Sequence, residues 1–174
     1  MRRFATDIFA GAEMVPPSRN SIVHAFDVDD TLTSKPPGFD NTGMTKDDFF
    51  DASRDFPADE AVVELARMLS DKGDRIAIAT ARPAERLEET IEWLQRNNVP
   101  FDQIILSKGT EPSGVAKQAM LQKLQDDYQE VGTLFDDSPY NIQGAAMQGV
   151  PGVHLRKNDE YWAAHPETVY TYGL

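Results

Sequence analysis

The sequence predicts an α/β fold: a mainly parallel sheet covered by helices on both faces, a three-layer Rossmann-like arrangement. Three observations predict it. Short β-prone runs alternate with segments of helical period, and that alternation is the signature of parallel strands joined by crossover helices. One run, RIAIAT, is apolar almost throughout, as a strand buried on both faces must be. No internal repeat, low-complexity tract or second-domain linker interrupts the series, so the 174 residues are expected to form one domain, 1–174, around a single core.

Residues 1–20 show no clear periodicity and are expected to be an N-terminal extension that Pro16-Pro17 terminates. Ser21 to Phe26 reads as the first strand and ends in the acidic burst DVDD. Residues 34–56, rich in Pro, Gly, Asp and Asn, read as loop and short flap, anchored by Phe49, Phe50 and Phe56. Ala58 to Lys72 has helical spacing, with Val62, Val63, Leu65, Ala66 and Leu69 on one side and Gly73 as the stop. RIAIAT is the second strand, Ala84 to Asn97 a helix with Leu87, Ile91 and Leu94 inward, and Phe101 to Leu106 the third strand. Ser113 to Asp127 is a helix, Val131 to Phe135 the fourth strand, Pro139 to Met147 a helix and Gly152 to Leu155 the fifth strand.

Composition excludes several function classes. With no cysteine, disulfides, thiolate metal sites and cysteine nucleophiles are ruled out. A hydrophobic share of 40% with 26% charged residues is globular rather than disordered. No apolar run approaches the roughly 20 residues of a membrane helix, and Asp7 and Glu13 break the stretch a signal peptide would need. A soluble, cytoplasmic protein is expected, without a membrane partner. The net charge of −12 offers no general basic surface, so extended duplex binding is not expected.

Three predicted strands end in chemically loaded residues: Asp27-Val28-Asp29-Asp30-Thr31, Thr80-Ala81-Arg82 and Asp136-Asp137-Ser138-Pro139. In α/β sheets of this type ligands bind beyond the carboxyl ends of the strands. In an extended chain residues two apart point the same way, so Asp27 and Asp29 are expected to share one side of the strand end. Asp136 joins them if the fourth strand lies beside the first. Carboxylates gathered there repel one another unless a cation joins them, and oxygen ligands with room for water and phosphate suit magnesium. With the phosphate charge neutralised, one carboxylate can attack phosphorus and another can move protons, while Thr80 and a lysine hold the phosphoryl oxygens. Against this stands the ordinary use of Asp137 or Ser138 as a helix cap before Pro139. The three loaded strand ends in this order favour catalysis. His24, His154 and His165 are not spaced as a metal set.

Over residues 21–155 these motifs resemble those of the haloacid dehalogenase (HAD) superfamily of phosphotransferases. HAFDVDDTLT is similar to its first motif, RIAIATAR to its second and VGTLFDDSPYN to its fourth. The resemblance implies the HAD fold with strand order 5-4-1-2-3 and no large cap domain. It makes Asp27 the nucleophile and Asp29 the general acid/base, with Mg2+ held by Asp27, Asp136 and the backbone carbonyl of Asp29. Asp137 becomes a further metal-associated acid, and Thr80 binds phosphate. The third motif is little more than a lysine, for which Lys117 in SGVAKQAML is the first choice and Lys108 the second. Arg82 either reaches the substrate phosphate or caps its turn. The stretch ADEAVVELARMLSDKGDRIAIATARP also resembles the phosphatase domain of polynucleotide kinase/3′-phosphatases, although no GxxxxGK[ST] phosphate loop occurs and kinase activity is not expected.

An uncapped site stays open, which favours a bulky substrate or a neighbouring copy of the chain that closes it. The expected substrate is a nucleotide or a nucleic-acid terminal (3′) phosphate, with another small phosphorylated metabolite as the alternative. Phe39, Phe49, Phe50 and Tyr140 near the mouth can stack on a base or simply pin the flap. Two readings of other classes are a receiver-like phosphoacceptor and an inactive binding module on the same fold. The third strand ends in Leu106-Ser107-Lys108, without the acid a receiver carries there.

Overall fold

Strand alternation sorts the apolar residues into two cores, one on each face of a single sheet. The structure, a computed structural model, describes residues 1–109 and 113–166. Its strands are β1 (Arg2–Ala5), β2 (Phe9–Glu13), β3 (Ile22–Phe26), β4 (Arg75–Pro83), β5 (Gln103–Ser107), β6 (Glu130–Asp136) and β7 (Gly152–His154). The helices are α1 (Lys46–Ser53), α2 (Glu60–Asp71), α3 (Leu87–Arg96), α4 (Ser113–Asp127), α5 (Pro139–Met147) and α6 (Asp159–Ala164). Ile76 and Ile78 of β4 and Ile104 and Leu106 of β5 face Val62, Val63 and Ala66 of α2 and Ile91 and Leu94 of α3. The residues between them, Ala77, Ala79 and Ile105, face Ala116, Met120, Leu121 and Leu124 of α4 and Ala145 of α5. Each face therefore buries every second residue of the same strands, which produces the three layers.

The sheet order is β1-β2-β5-β4-β3-β6-β7. The five parallel strands keep the expected succession, but the whole sheet differs in detail from a 5-4-1-2-3 arrangement. Residues 2–13, read from sequence as an aperiodic extension, form an antiparallel hairpin that adds two strands beyond β5. Its turn is closed by Thr6, whose Oγ1 accepts the Phe9 N–H at 2.9 Å. Docking of β2 on β5 requires Gly11, since a Cβ there would lie 2.0 Å from the Ile104 carbonyl oxygen. Two helices within or beyond expected loops also appear. Helix α1 occupies the flap, capped by Thr45, whose hydroxyl accepts the Asp48 N–H. Helix α6 follows β7.

Between β3 and α2 the chain inserts only α1 and its loops, and between α4 and β6 only a tight connection, so among the described residues no large cap covers the sheet's carboxyl edge. From β3 the chain proceeds through β4 and β5 to one side and then returns through β6 and β7 to the other. The crevice between β3 and β6 is the topological switch point.

We expect Gly11→Ala to destabilise the fold by about 1–3 kcal/mol, the usual range for overpacking, seen as a lowered urea midpoint. An unchanged midpoint would show that the hairpin docks without close approach to β5.

Candidate active site

The parallel register Phe26↔Phe135 puts the residues that follow each phenylalanine, Asp27 and Asp136, side by side at the switch point. The Asp27 N–H continues the ladder by donating to the Phe135 carbonyl at 3.0 Å. One carboxylate oxygen from each of Asp27, Asp136 and Asp137 lies within 4.8 Å of the others, and all three residues are buried. Lys117, 1% exposed, projects from α4 into this cluster. Its Nζ donates to Asp27 Oδ1 at 3.0 Å, lies 3.1 Å from Asp136 Oδ2 and also reaches the Ala79 carbonyl. Lys108, the other candidate, follows the carboxyl end of β5 and is exposed.

One ammonium cannot neutralise three carboxylates. Burial, and then the charge of Asp136, push the Asp27 carboxyl up to about 7 in spite of Lys117. Burial, and then Asp27 and Asp136, push Asp137 up to about 9. Burial by itself would lower Lys117, but Asp136 and Asp27 hold it above its ordinary value. With all three acids ionised, one lysine would leave a surplus of two negative charges in a cluster a few ångströms wide, and the raised Asp27 and Asp137 values express that cost. An all-oxygen donor set with that surplus fits a hard divalent cation. Asp136 is oriented by the Ser138 N–H at 2.9 Å and by Asn141 Nδ2 at 3.0 Å.

The strand geometry expected to align Asp27 with Asp29 ends too early. After Asp27 the chain enters a tight turn, Val28–Leu32, in which Asp29 is extended and Asp30 adopts a left-handed conformation with φ 59°. The turn is closed by Thr33, whose N–H donates to the Val28 carbonyl and whose Oγ1 accepts the Asp30 N–H. Asp29 is thus presented by the turn, and its side chain lies outside the three-acid cluster. It meets Arg82, which donates from Nε to Oδ2 at 3.0 Å and from Nη2 to Oδ1 at 2.7 Å.

Arg82 is placed by a break in the β4–β5 register between Thr80 and Pro83. The guanidinium, 2% exposed, also donates to Thr90 Oγ1 and Ser53 Oγ. Four hydrogen bonds thus hold Arg82 on Asp29, Thr90 and Ser53 at the mouth of the site. Thr80 is buried, does not line the cavity and accepts the Arg82 N–H on Oγ1 at 3.2 Å.

The profile of the HAD superfamily, subfamily IIIB (acid phosphatase), matches residues 2–171. The chain belongs to this family. Among solved structures, a chain of the Pnkp1/Rnl/Hen1 RNA repair complex superposes with a TM-score of 0.65 at 15% identity, covering 83% of this chain and 45% of that one. This acid-phosphatase relative therefore spans less than half the length of that neighbour. A candidate HAD-like phosphatase from Mesorhizobium loti gives a TM-score of 0.58 at 10% identity, with 86% and 80% covered. A hydrolase from Streptococcus pneumoniae gives 0.55 at 13% identity, with 83% and 98% covered. These likenesses show the shared fold. No curated protein sequence matches the chain.

In this member of the HAD superfamily the acids open onto a cavity of about 680 Å³. The flap contributes Asn41 to Asp47 with Phe49 and Phe50, and the far wall contributes Asn158, Tyr161, Trp162 and His165. Of the aromatics proposed to stack on a base, Phe49 and Phe50 line the cavity, whereas Phe39 and Tyr140 do not. Phe39 packs edge-on against Phe56 and Phe49 at 4.8 and 6.4 Å, so it pins the flap. Sequence reasoning missed Trp162, whose indole N–H donates to Asp137 Oδ2 at 2.9 Å. It also missed Asn158, which donates to Asp30 Oδ2 at 3.1 Å, and Lys157, which donates to the Thr31 carbonyl at 2.8 Å. The run LRKNDEYW after the last strand was the available signal, and it carries no recognisable spacing.

Because the folded Asp137 carboxyl lies above its ordinary value, ionising it opposes folding. That cost is absent below about pH 4 and grows as pH rises toward about 9. Asp137→Asn should therefore raise the Tm of the EDTA-treated protein at pH 8 and raise it much less at pH 5, as calorimetry can determine. An equal effect at both pH values would contradict the charge argument.

Proposed function

We propose that the chain is a magnesium-dependent phosphomonoesterase that works through an aspartyl phosphate on Asp27. The observation that supports this best is the meeting of the Asp27, Asp136 and Asp137 carboxylates within 4.8 Å at the switch point, with Lys117 among them. In this reading the side chains of Asp27, Asp136 and Asp137, with the backbone carbonyl of Asp29, hold Mg2+. Bound there, the ion would neutralise phosphate charge and so admit an anionic nucleophile.

Asp27 attacks phosphorus and forms the P–O bond of an acyl phosphate as the ester P–O bond breaks. Asp29 gives a proton to the leaving oxygen. It then takes one from a water that attacks the aspartyl phosphate, releasing inorganic phosphate and restoring Asp27. Thr31 holds Asp27 Oδ2 through its hydroxyl at 3.2 Å, and Lys117 holds Oδ1 and stabilises charge on the transferred phosphoryl group. By the likeness of RIAIATAR to the second motif, Thr80 is assigned to the phosphate as well. A bidentate arginine favours the ionised carboxylate, so Asp29 leaves Arg82 when substrate arrives. Arg82 is thereby released for the incoming phosphate.

The substrate we favour is a nucleotide or a nucleic-acid 3′-terminal phosphate. An uncapped 680 Å³ cavity with Phe49, Phe50 and Tyr161 on its walls suits a phosphate attached to a planar group. Likeness in fold to a chain of an RNA repair complex supports the polynucleotide form. The net charge of −12 favours engagement of one or two terminal residues over a long backbone track.

Asp27→Asn should abolish release of phosphate from an aryl phosphate in Mg2+, and EDTA should do the same to the unsubstituted protein. Asp29→Asn should lower kcat by about 10²–10⁴-fold, the usual contribution of acid–base catalysis. Full activity in Asp27→Asn would end the covalent mechanism. In a parallel screen, 3′-phosphorylated oligonucleotides and nucleoside monophosphates should exceed sugar phosphates in kcat/KM, and the reverse ranking would overturn the substrate assignment.

A further inference from the structure

After β7 the chain packs back onto the acidic site. His154 Nε2 lies 3.0 Å from the Asp137 carbonyl, and Lys157 and Asn158 bind the turn that follows Asp27. Four residues further on, Trp162 points its indole N–H at Asp137 Oδ2. The ring is held edge-on between Tyr140 and Tyr161, with centroids at 6.1 and 5.1 Å. Its own carbonyl accepts the Tyr140 hydroxyl at 3.1 Å. Trp162 is thus locked at both ends, and Tyr140 is itself carried by α5, the helix that begins just after Asp137.

We infer that Trp162 is a positioning residue of the divalent-cation site, acting through Asp137. The inference rests on the reading of Asp27, Asp136 and Asp137 as that site. Indole nitrogen only donates, so it cannot compete with the carboxylates for a cation. By taking one oxygen of Asp137, it fixes the rotation of that carboxylate. An acid without such a partner would turn away from Asp27 and Asp136, which repel it. Partners of this kind behind metal ligands usually change affinity by about 10–100-fold. The same contact places a wall of the substrate cavity on the residue that orients the metal acid, since Trp162 lines the cavity.

The chain has two tryptophans, which makes the contact observable. Trp93 is 1% exposed, packs in the core cluster of α2 and α3, and donates to the Phe56 carbonyl. In W93F, Mg2+ should alter the remaining tryptophan emission, and in W162F it should not. Calorimetric titration of the full chain with MgCl2 should give a Kd about tenfold higher in W162F. The Tm of metal-free W162F should remain close to that of the unsubstituted protein, because Phe preserves the ring packing. In an Asp137→Asn background the W162F substitution should have no further effect on Kd.

An unchanged Kd in W162F, or the same loss in the Asp137→Asn background, overturns the inference and leaves the cation reading intact. An unsubstituted protein that binds no Mg2+ overturns both. Should W162F fail to fold, the emission of W93F decides: no response to Mg2+ while calorimetry records binding overturns the inference.

Discussion

Like charges crowded at the end of two neighbouring strands are the constraint on which the rest of this structure depends. Parallel pairing of β3 with β6 leaves no choice about the distance between the residues that follow Phe26 and Phe135, and both are aspartates. Asp137 adds a third buried carboxylate. Such a cluster is costly unless it is balanced. Lys117 balances part of it from the opposite layer, which is why a lysine can be almost wholly buried in α4. The remainder of the negative charge is the physical basis for the proposed metal.

Around this cluster the structure ties distant segments to the acids through single polar contacts. Arg82 links Asp29 to Thr90 on α3 and to Ser53 at the end of α1, so flap and turn share one guanidinium. Arg86 joins Asp47 and Asp51 of α1 to Glu89 of α3. On the other side Lys157 spans the Thr31 carbonyl and Asp59 at the start of α2. The cavity is therefore bounded by two anchored walls, and among the described residues no large cap closes it. In the proposed chemistry these walls, rather than a separate lid, select the group that carries the phosphate.

Much of this was legible because its signals are local. RIAIAT is apolar on both faces and could only be a buried strand, and the helix of residues 60–71 carries its apolar stripe openly, with Asp59 capping its first turn. Asp27, Asp136 and Asp137 follow strand-like runs directly, so their meeting needed only the usual succession of parallel strands. Lys117 was only the first choice over Lys108, because neither its depth of burial nor its contact with the acids could be read from the sequence. The N-terminal hairpin escaped notice because RRFA and FAGAE lack β-branched residues, and their pairing partner, β5, lies far along the chain. Trp162 escaped for a related reason: an exposed-looking stretch after the last strand reveals nothing of what it folds against.

By itself, then, the sequence determined the alternation of strands and helices, the layers they form, and the acids that stand at the strand ends, since each follows from periodicity and from residues adjacent in the chain. The tertiary structure alone decided which donor each acid meets. Arg82 sits on Asp29, Lys117 lies between Asp27 and Asp136, and Trp162 holds Asp137. Those pairings depend on helix packing across the sheet and on chain segments brought together only by folding, and hydrogen bonds between side chains leave no periodic trace in a sequence.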